Sequence, residues 1–434
     1  MSAPEGSSGP LQGMRVIELA HIMAGPVCGL MLADMGADVV KVEKPEGDDS
    51  RRFLPPDING ESAAFMMMNR HKRGIVLDLK QASAKDALRR LLREADVVIE
   101  NYRKGTMERL GLGYEALRQD NPGLIYCEVS GFGRTGPYAE RGGFDLIAQG
   151  MSGLMAITGE GQGRPPVKVG APVTDITAGI LAALGVAAAY ARKIQTGVGQ
   201  RVDTSLFEAG IVHTYWQSAI TFATGIPPGP MGSAHPLNAP YQAFETSDGW
   251  INIGAANQRN WERMAEVIET PDLLAEPLFA TNRARMENLG ALQARLAPIL
   301  KRRTTGEWLA VFERADVPAG PVLSIDAMHR DPQALARAMV VDIAHPVAGA
   351  TKAIGLPIKF SSTPGGQGGP APMLGEHTEQ VLAEIGYGPG EIAALLACGA
   401  AAKYRTGRVE PDFGDPIGEI PPDSPKRRKP FSGQ

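Results

Sequence analysis

The chain has 434 residues, 43% of them hydrophobic and 21% charged, with a formal net charge of −4. This is the composition of a soluble globular protein with room for two domains, and it supplies no general field for a nucleic acid or a membrane surface. The three cysteines, Cys28, Cys127 and Cys398, are widely spaced and odd in number. They point to reduced thiols in a cytoplasmic protein and argue against a disulfide framework or a zinc site.

The opening MSAPEGSSGP reads as a loose polar tail rather than a signal peptide. Strand and helix patterns then alternate. MRVIEL (14–19) predicts a strand, AGPVCGLMLADMG a helix closed by Gly36, and ADVVKVE (37–43) a second strand. RGIVLDLK (73–80) predicts a third strand, SAKDALRRLLREA (83–95) a helix, DVVIENY (96–102) a fourth strand and GLIYCEVSGFG (123–133) a fifth. Helices between near-continuous apolar strands imply parallel βαβ units, in which ligands sit at the carboxyl ends of the strands. Those ends carry AHIMAGP, EKPEGDDSRR, ENYRKGT and SGFGRTGPY, with Lys44, Arg51, Arg52, Arg103, Lys104 and Arg109 on loops or first turns. Such a cluster suits a phosphorylated ligand, although solvated surface charge is the ordinary fate of each single cation.

Residues 170–192, GAPVTDITAGILAALGVAAAYAR, place Asp175 before an uncharged run from Ile176 to Ala191. The spacing Ile176, Ile180, Leu184 fits one helix face, and the Ala- and Gly-rich run is shorter than a membrane span needs, so it reads as a buried core helix. Two readings of Asp175 stand side by side. It is the N-cap of this helix, or it is an ionised carboxylate held among small residues for attack on an activated acyl group.

The Pro- and Gly-rich segment 224–242 reads as a linker or active-site loop. A second α/β unit follows, with GWINIGA as a strand and NQRNWERMAEVIE and TGEWLAVFER as helices, and residues 330–400 read as a return to the first domain. The remainder, with its KRRK cluster at 426–429, reads as a disordered tail or a weak basic signal. The domain expectation is therefore 11–222 for the first part of a large domain, 223–328 for linker and small domain, 329–400 for the return and 401–434 for the tail.

No HExxH, paired Cys/His spacing or GxxxxGK[ST] pattern occurs; after the first strand only Gly25 and Gly29 appear, so the dinucleotide fingerprint GxGxxG is absent there, and GMSGL (150–154) fails the GxSxG elbow at its last position. Glu43, at the end of the second strand, keeps a nicotinamide oxidoreductase open because a ribose-binding acid stands there in dinucleotide-binding folds.

Taken in series, several stretches resemble the family III CoA-transferases. They are LQGMRVIELAHIMAGPVCGLMLADMGADVVKVEKPEGDDSRR, NRHKRGIVLDLK, DVVIENYRKGTMERLGLGYEALRQDNPGLIYCEVSGFGRTGPYAERGGFDLIAQ and GAPVTDITAGILAALGVAAAYARKIQTGVGQRVDTSLFEA, followed by AHPLNAPYQAFETSDGW, ADVPAGPV, RDPQALARAMVVDIAHP and LGEHTEQVLAEIGY. The resemblance implies an α/β fold with a Rossmann-like large domain built from both chain ends, a smaller α/β domain between them, and an interlocked ring-like homodimer. It implies an acyl-CoA:carboxylate CoA-transferase that works through an aspartyl anhydride and an aspartyl-CoA thioester on Asp175. Coenzyme A and acyl-CoA are then substrates, with a carboxylic acid acceptor and no permanently bound cofactor, metal, nucleic acid or membrane partner. The CoA-contacting positions implied are Ile22, Met23, Ala24, Lys44, Leu77, Asn101, Tyr102, Arg103 and Arg109.

Two departures from the family pattern stand out. Racemases of the family carry a His before an Asp where this chain has Phe144 and Asp145. The formyl-CoA transferase polyglycine lid corresponds here to GSAHPLNAPY (232–241), stiffened by Pro236 and Pro240. Phe144, Asp145 and His235 are candidate substrate-site residues; for Asp145 the alternative is a loop acid bonding backbone amides, and for His235 a hydrogen-bonded structural histidine. An α-methylacyl-CoA racemase or epimerase and a catalytically inactive CoA-binding protein are the alternative functions.

Overall fold

The computed structural model describes residues 9–366 and 368–404; the candidate tails at 1–8 and 405–434 lie outside the described residues. Apart from a two-residue hairpin, Asp57–Ile58 with Glu61–Ser62, the strands in chain order are β1 (Arg15–Glu18), β2 (Asp38–Glu43), β3 (Lys72–Leu77), β4 (Val97–Glu100), β5 (Ile125–Ser130) and β6 (Arg201–Ser205), then β7 (Tyr241–Glu245), β8 (Trp250–Gly254), β9 (Ala319–Pro321), β10 (Val340–His345), β11 (Gly349–Ile354) and β12 (Ala401–Ala402). The helices that matter for the site are α1 (Ala24–Asp34), α2 (Ala82–Glu94), α3 (Asp145–Met151), α4 (Val173–Thr196) and α5 (Tyr215–Thr224).

One seven-stranded sheet runs β12-β3-β2-β1-β4-β5-β6. All its pairs are parallel except β12 against β3, where Leu77 stands opposite Ala401. Its inner strands are mostly apolar because both faces are buried and successive side chains alternate between two layers. Ile17, Val40, Ile75 and Val98 pack beneath α2 and the helices Thr378–Glu384 and Pro389–Ala397. Val16, Val39, Val97, Ile99 and Cys127 pack beneath α1 and α4. Each crossover helix therefore has only to present one apolar stripe.

The smaller unit is an antiparallel sheet, β9-β8-β7, closed over a core of Phe244, Ile251, Ile253, Trp261, Met264, Leu296, Trp308 and Phe312. Helix Thr305–Arg314 starts on a capping box, in which Thr304 accepts from the Glu307 amide while the Glu307 carboxylate accepts from the Thr304 amide. The chain then passes through the separate hairpin β10–β11 before the helices of residues 378–397 rejoin the large sheet.

Three expectations change. Strand β6 is absent from the sequence reading because RVDTS lacks an apolar run; it sits at the sheet edge with Arg201 and Asp203 exposed. Residues 401–402, expected in the tail, form the opposite edge strand. Helix α4 is 24 residues long and, among the described residues, is the one helix long and apolar enough to cross a bilayer, yet it packs on the sheet. Its packed face is not Ile176–Ile180–Leu184 but the small residues Ala178, Gly179, Ala182, Ala183, Val186 and Ala189, and Ile180 and Leu184 are exposed.

The reason is a close approach. A Cβ on Gly179 would lie 2.6 Å from the Ala24 carbonyl oxygen and 2.7 Å from Val27 Cβ, so α4 and α1 touch at backbone distance. Large side chains have no room on that face and turn outward. Gly179→Ala should therefore destabilise the protein by about 1–3 kcal/mol through overpacking, outweighing a helix-propensity gain of about 1 kcal/mol. A thermal melt reads this directly, and an unchanged or raised midpoint would show that the two helices have slack.

Candidate active site

The order of the large sheet reverses between β1 and β4: the chain builds outward to β2 and β3 on one side and to β5 and β6 on the other. At such a switch point the two loops leaving the strands diverge and open a crevice at the carboxyl edge. Here the loops are His21–Ala24 and Asn101–Arg109. Asn101 ties them together, its Oδ1 accepting from the His21 amide at 3.0 Å and its Nδ2 donating to the His21 carbonyl at 2.8 Å. The His21 and Tyr102 rings lie 5.6 Å apart, and burial holds the His21 imidazole below its ordinary pKa. Ile22 follows with φ +68°, a left-handed conformation that costs a β-branched residue about 1–3 kcal/mol. Helix α1 begins immediately afterwards, and Met23 at its N-cap offers no side-chain hydrogen bond to the first-turn amides.

The basic strand ends divide into two groups. Arg51 binds Glu43 through both Nε and Nη2, at 2.7 and 2.8 Å, donates to the Pro372 carbonyl and lies over the Phe65 ring. Arg51 and Glu43 are thus committed to each other, which removes the first from the candidate phosphate cluster and the second from any ribose-binding role. Lys44 and Arg52 share the exposed carboxylate of Asp49, and Lys104 pairs with Glu140. Exposed pairs of this kind are weak and open readily to a phosphate. Among the described residues, Arg103 and Arg109 have no carboxylate partner, and Arg109 donates only to Thr106 Oγ1 at 2.9 Å. Leu77, by contrast, is 1% exposed within the core under α2, so its side chain is part of the packing and only its backbone stands at the strand end.

Arg134 escaped the sequence reading although it lies in the quoted SGFGRTGPY. It is buried, donates to Glu100 at 2.6 Å and to the Tyr102 carbonyl at 3.0 Å, and lies within 2.9 Å of Glu128. Glu100 in turn accepts from the Tyr102 amide at 2.7 Å. Together they fix the Asn101–Tyr102–Arg103 turn from behind. A single arginine in a glycine-rich loop carries no periodic signal that marks it in advance.

Asp175 is not the cap of α4. The N-cap position is Pro172, which has no side-chain cap, and Asp175 is the third helical residue. The cap comes from Asp145, 29 positions earlier and the first residue of α3. Its Oδ1 accepts from the Thr174 amide at 3.0 Å and the Thr174 hydroxyl at 2.8 Å, and its Oδ2 from Gln149 Nε2 at 2.8 Å. The buried Gln149 also accepts from the Val169 amide at 2.8 Å, pinning the segment that leads into α4. Asp145 is thus the acid bonding a backbone amide that one reading expected.

Asp175 is left with burial and with the like charge of Asp145, which together push its carboxyl up to about 6, and no described residue donates a hydrogen bond to it. Position 175 stands one turn before Gly179 on the same helix face, and helical side chains lean toward the N-terminus. The Gly179–Ala24 contact therefore sets Asp175 beside the start of α1. Phe144 occupies the N-cap of α3 and is 74% exposed, with no titratable group to offer. His235 has a structural setting: its Nδ1 accepts from the Leu237 amide at 3.1 Å and its ring stacks on Tyr241 at 5.1 Å.

Because burial is the larger cause at Asp175 and Asp145 the smaller, Asp145→Asn should lower the ionisation midpoint of Asp175 only part of the way toward an ordinary carboxylate. The pH dependence of kcat/KM reports it, and an unmoved midpoint would exclude Asp145 as its charged neighbour.

A mostly parallel α/β sheet, with basic side chains on the loops at its carboxyl edge and a half-buried carboxylate in the first turn of the helix that packs on α1, makes an aspartate the candidate centre. The model of CoA-transferase family III matches residues 11–378, and the chain belongs to that family. It is 41% identical over 383 residues to the succinate–glutarate CoA-transferase of Agrobacterium fabrum, covering 87% of this chain and 96% of that one. It is 34% identical over 400 residues to the mouse succinyl-CoA:glutarate CoA-transferase, covering 92% and 91%. The acetyl-CoA:oxalate CoA-transferase of Acetobacter aceti is 36% identical over 360 residues, covering 83% and 91%. Among solved structures, a CAIB/BAIF family protein from Brucella suis aligns with a TM-score of 0.78 at 40% identity, covering 87% of this chain and 99% of that one. The protein is accordingly a CoA-transferase that uses CoA thioesters as substrates.

Proposed function

We propose that the enzyme transfers CoA from an acyl-CoA donor to a carboxylic acid through covalent intermediates on Asp175. The observation that carries this reading is that Asp145 takes over the capping of α4, leaving Asp175 an uncapped, half-buried carboxylate whose pKa is raised to about 6. At neutral pH it is ionised, yet it is a stronger base and nucleophile than a solvated carboxylate. In the first step a carboxylate oxygen attacks the thioester carbonyl, the C–S bond breaks, and CoA leaves as a thiolate from an aspartyl–acyl anhydride. The thiolate then attacks the Asp175 carbonyl, giving an aspartyl-CoA thioester and releasing the donor acid as its carboxylate. The acceptor carboxylate attacks that thioester, and the thiolate expelled attacks the acceptor side of the new anhydride. Acceptor acyl-CoA leaves and Asp175 is restored, with no net proton consumed. Lys44, Arg103 and Arg109 serve the phosphates of CoA. The relatives named for succinate, glutarate and oxalate support short dicarboxylic acids as the substrate class.

Asp175→Asn should lower kcat by about 10⁴-fold or more while CoA still binds, and hydroxylamine should trap a hydroxamate on Asp175 during turnover with succinyl-CoA. Retained turnover, or a trap mapped elsewhere, would remove Asp175 from this role. In the wild type kcat/KM should rise with pH through about 6 and then level off. The same ionisation makes a stability test. The folded chain holds the Asp175 proton more tightly than the unfolded chain, so this carboxyl costs stability above about pH 6 and progressively less down to its ordinary value of 3.8. Asp175→Asn should therefore raise the melting temperature near neutral pH, with the gain shrinking toward pH 4.

We further propose that the working form is a homodimer. The outer face of α4 and the whole of α5 leave Leu184, Ile194, Tyr215, Trp216 and Phe222 exposed, with Phe222 at 87%, more apolar surface than a monomer ordinarily leaves uncovered. Native mass spectrometry should show a species of twice the 46.0 kDa chain mass; a monomer at micromolar concentration would overturn this.

A further inference from the structure

The Ile22 turn is held in its unfavourable conformation by an assembly that no step of the chemistry uses. The Ile22 amide donates to both oxygens of Asp48, at 3.1 and 3.3 Å. Asp48 also accepts from the Ser50 amide and hydroxyl, each at 2.8 Å, and its side chain is 1% exposed. Lys41 Nζ lies 2.8 Å from Asp48 Oδ2, and its other two donors go to Glu18 at 3.0 Å and to the Ala20 carbonyl at 2.8 Å. Lys72 completes the chain, 2.8 Å from Glu18 and 2.9 Å from the Pro26 carbonyl and Asn69 Oδ1. Four ionised side chains from three adjacent strands and the loop after β2 thus lie directly beneath residues 20–26, and Gly29 makes space for one of them, since a Cβ there would lie 1.8 Å from Glu18 Oε2.

Buried ion chains contribute little to net stability and are best understood by what they hold in place. Here every inner partner is rooted in the sheet, and the outermost acid reaches the backbone amide of a strained residue as well as that of Ser50. Burial works against the charge of Asp48, but Lys41 and the Ser50 donors outweigh it and keep the carboxyl ionised well below the usual range.

We propose that Asp48 is a positioning residue that locks Ile22 in the left-handed conformation, so that the His21–Ala24 turn and the open start of α1 are set to receive the CoA part of the substrate before it arrives. The proposal rests on the reading of this crevice as the CoA site. It requires a carboxylate rather than an amide. Lys41 approaches Oδ2, Ser50 donates to Oδ1 and the Ile22 amide lies between the two, and asparagine has only one acceptor, so in either orientation its NH₂ faces a donor.

The test is a three-way comparison of Asp48→Asn, the double variant Asp48→Asn/Ile22→Gly, and Arg109→Ala, with CoA affinity measured calorimetrically and KM and kcat measured with succinyl-CoA. Asp48→Asn should weaken CoA binding and raise the succinyl-CoA KM by about ten- to a hundredfold, with kcat changed by less than about threefold. Glycine adopts positive φ without help, so adding Ile22→Gly should recover most of the lost affinity. A merely structural role for Asp48 would lower the melting temperature with no KM-specific change and no rescue, and that result overturns the proposal. If Arg109→Ala also leaves CoA affinity unchanged, the site reading itself fails, which separates the two failures. Should Asp48→Asn not fold, hydrogen exchange on the wild type decides. The Ile22 amide should be strongly protected in the CoA-free enzyme, and exchange at the rate of an open loop until CoA is added would show that nothing holds the turn beforehand.

Discussion

Where α4 crosses α1, Gly179 meets the Ala24 carbonyl with no side chain between them, and the rest of the site inherits its geometry from that contact. Helices normally keep their axes 8–10 Å apart through interdigitated side chains; a glycine in the contact lets backbone approach backbone. One turn before Gly179 stands Asp175, and the residues beside Ala24 form the turn that leaves β1, so a single packing event fixes the candidate nucleophile's helix against the start of α1. The same closeness turns Ile180 and Leu184 outward. An apolar exterior on α4 is thus a consequence of how its interior face is packed.

The acids around the site are distinguished by what donates to them. Asp145 caps another residue's helix, Glu43 and Glu100 hold arginines, and Asp48 receives amides, a hydroxyl and an ammonium. Each such donor favours the ionised form and also fixes the carboxylate in one orientation. Asp175 has none, so burial and the charge of Asp145 act on it unopposed and push its carboxyl up, whereas Lys41 and the Ser50 donors hold that of Asp48 down. Asp48, buried, and Asp175, half-buried, are shifted in opposite directions. One is spent on holding backbone; the other is left without a donor.

Much of the large sheet is legible in the chain because strands buried on both faces must be continuously apolar. Residues 14–19, 37–43, 73–80, 96–102 and 123–133 declare themselves on that ground and correspond to β1–β5. The edge strands β6 and β12 do not, since an edge has one neighbour and tolerates polar or very short segments. Around the crevice, the clustering of polar and basic residues at strand ends is readable, but its internal pairing is not. Arg51 and Arg103 look alike in sequence, and only the placement of Glu43 beside the first commits it to structure. Leu77 is a neighbour of the crevice by strand position and a core residue by side chain.

The fate of Asp175 shows where the division falls. Local sequence determines that an acid stands at the start of a long apolar helix with small residues around it, because helix periodicity and capping preference are short-range properties. Whether that acid caps the helix depends on a second carboxylate arriving from 29 residues away, and Asp145 arrives only because α3 and α4 pack together. Hydrogen bonding and desolvation depend on distance in space. The residue types, the strand pattern and the candidate carboxylate were therefore present in the sequence alone, and the tertiary structure decided which carboxylate is bound and which is left without a donor.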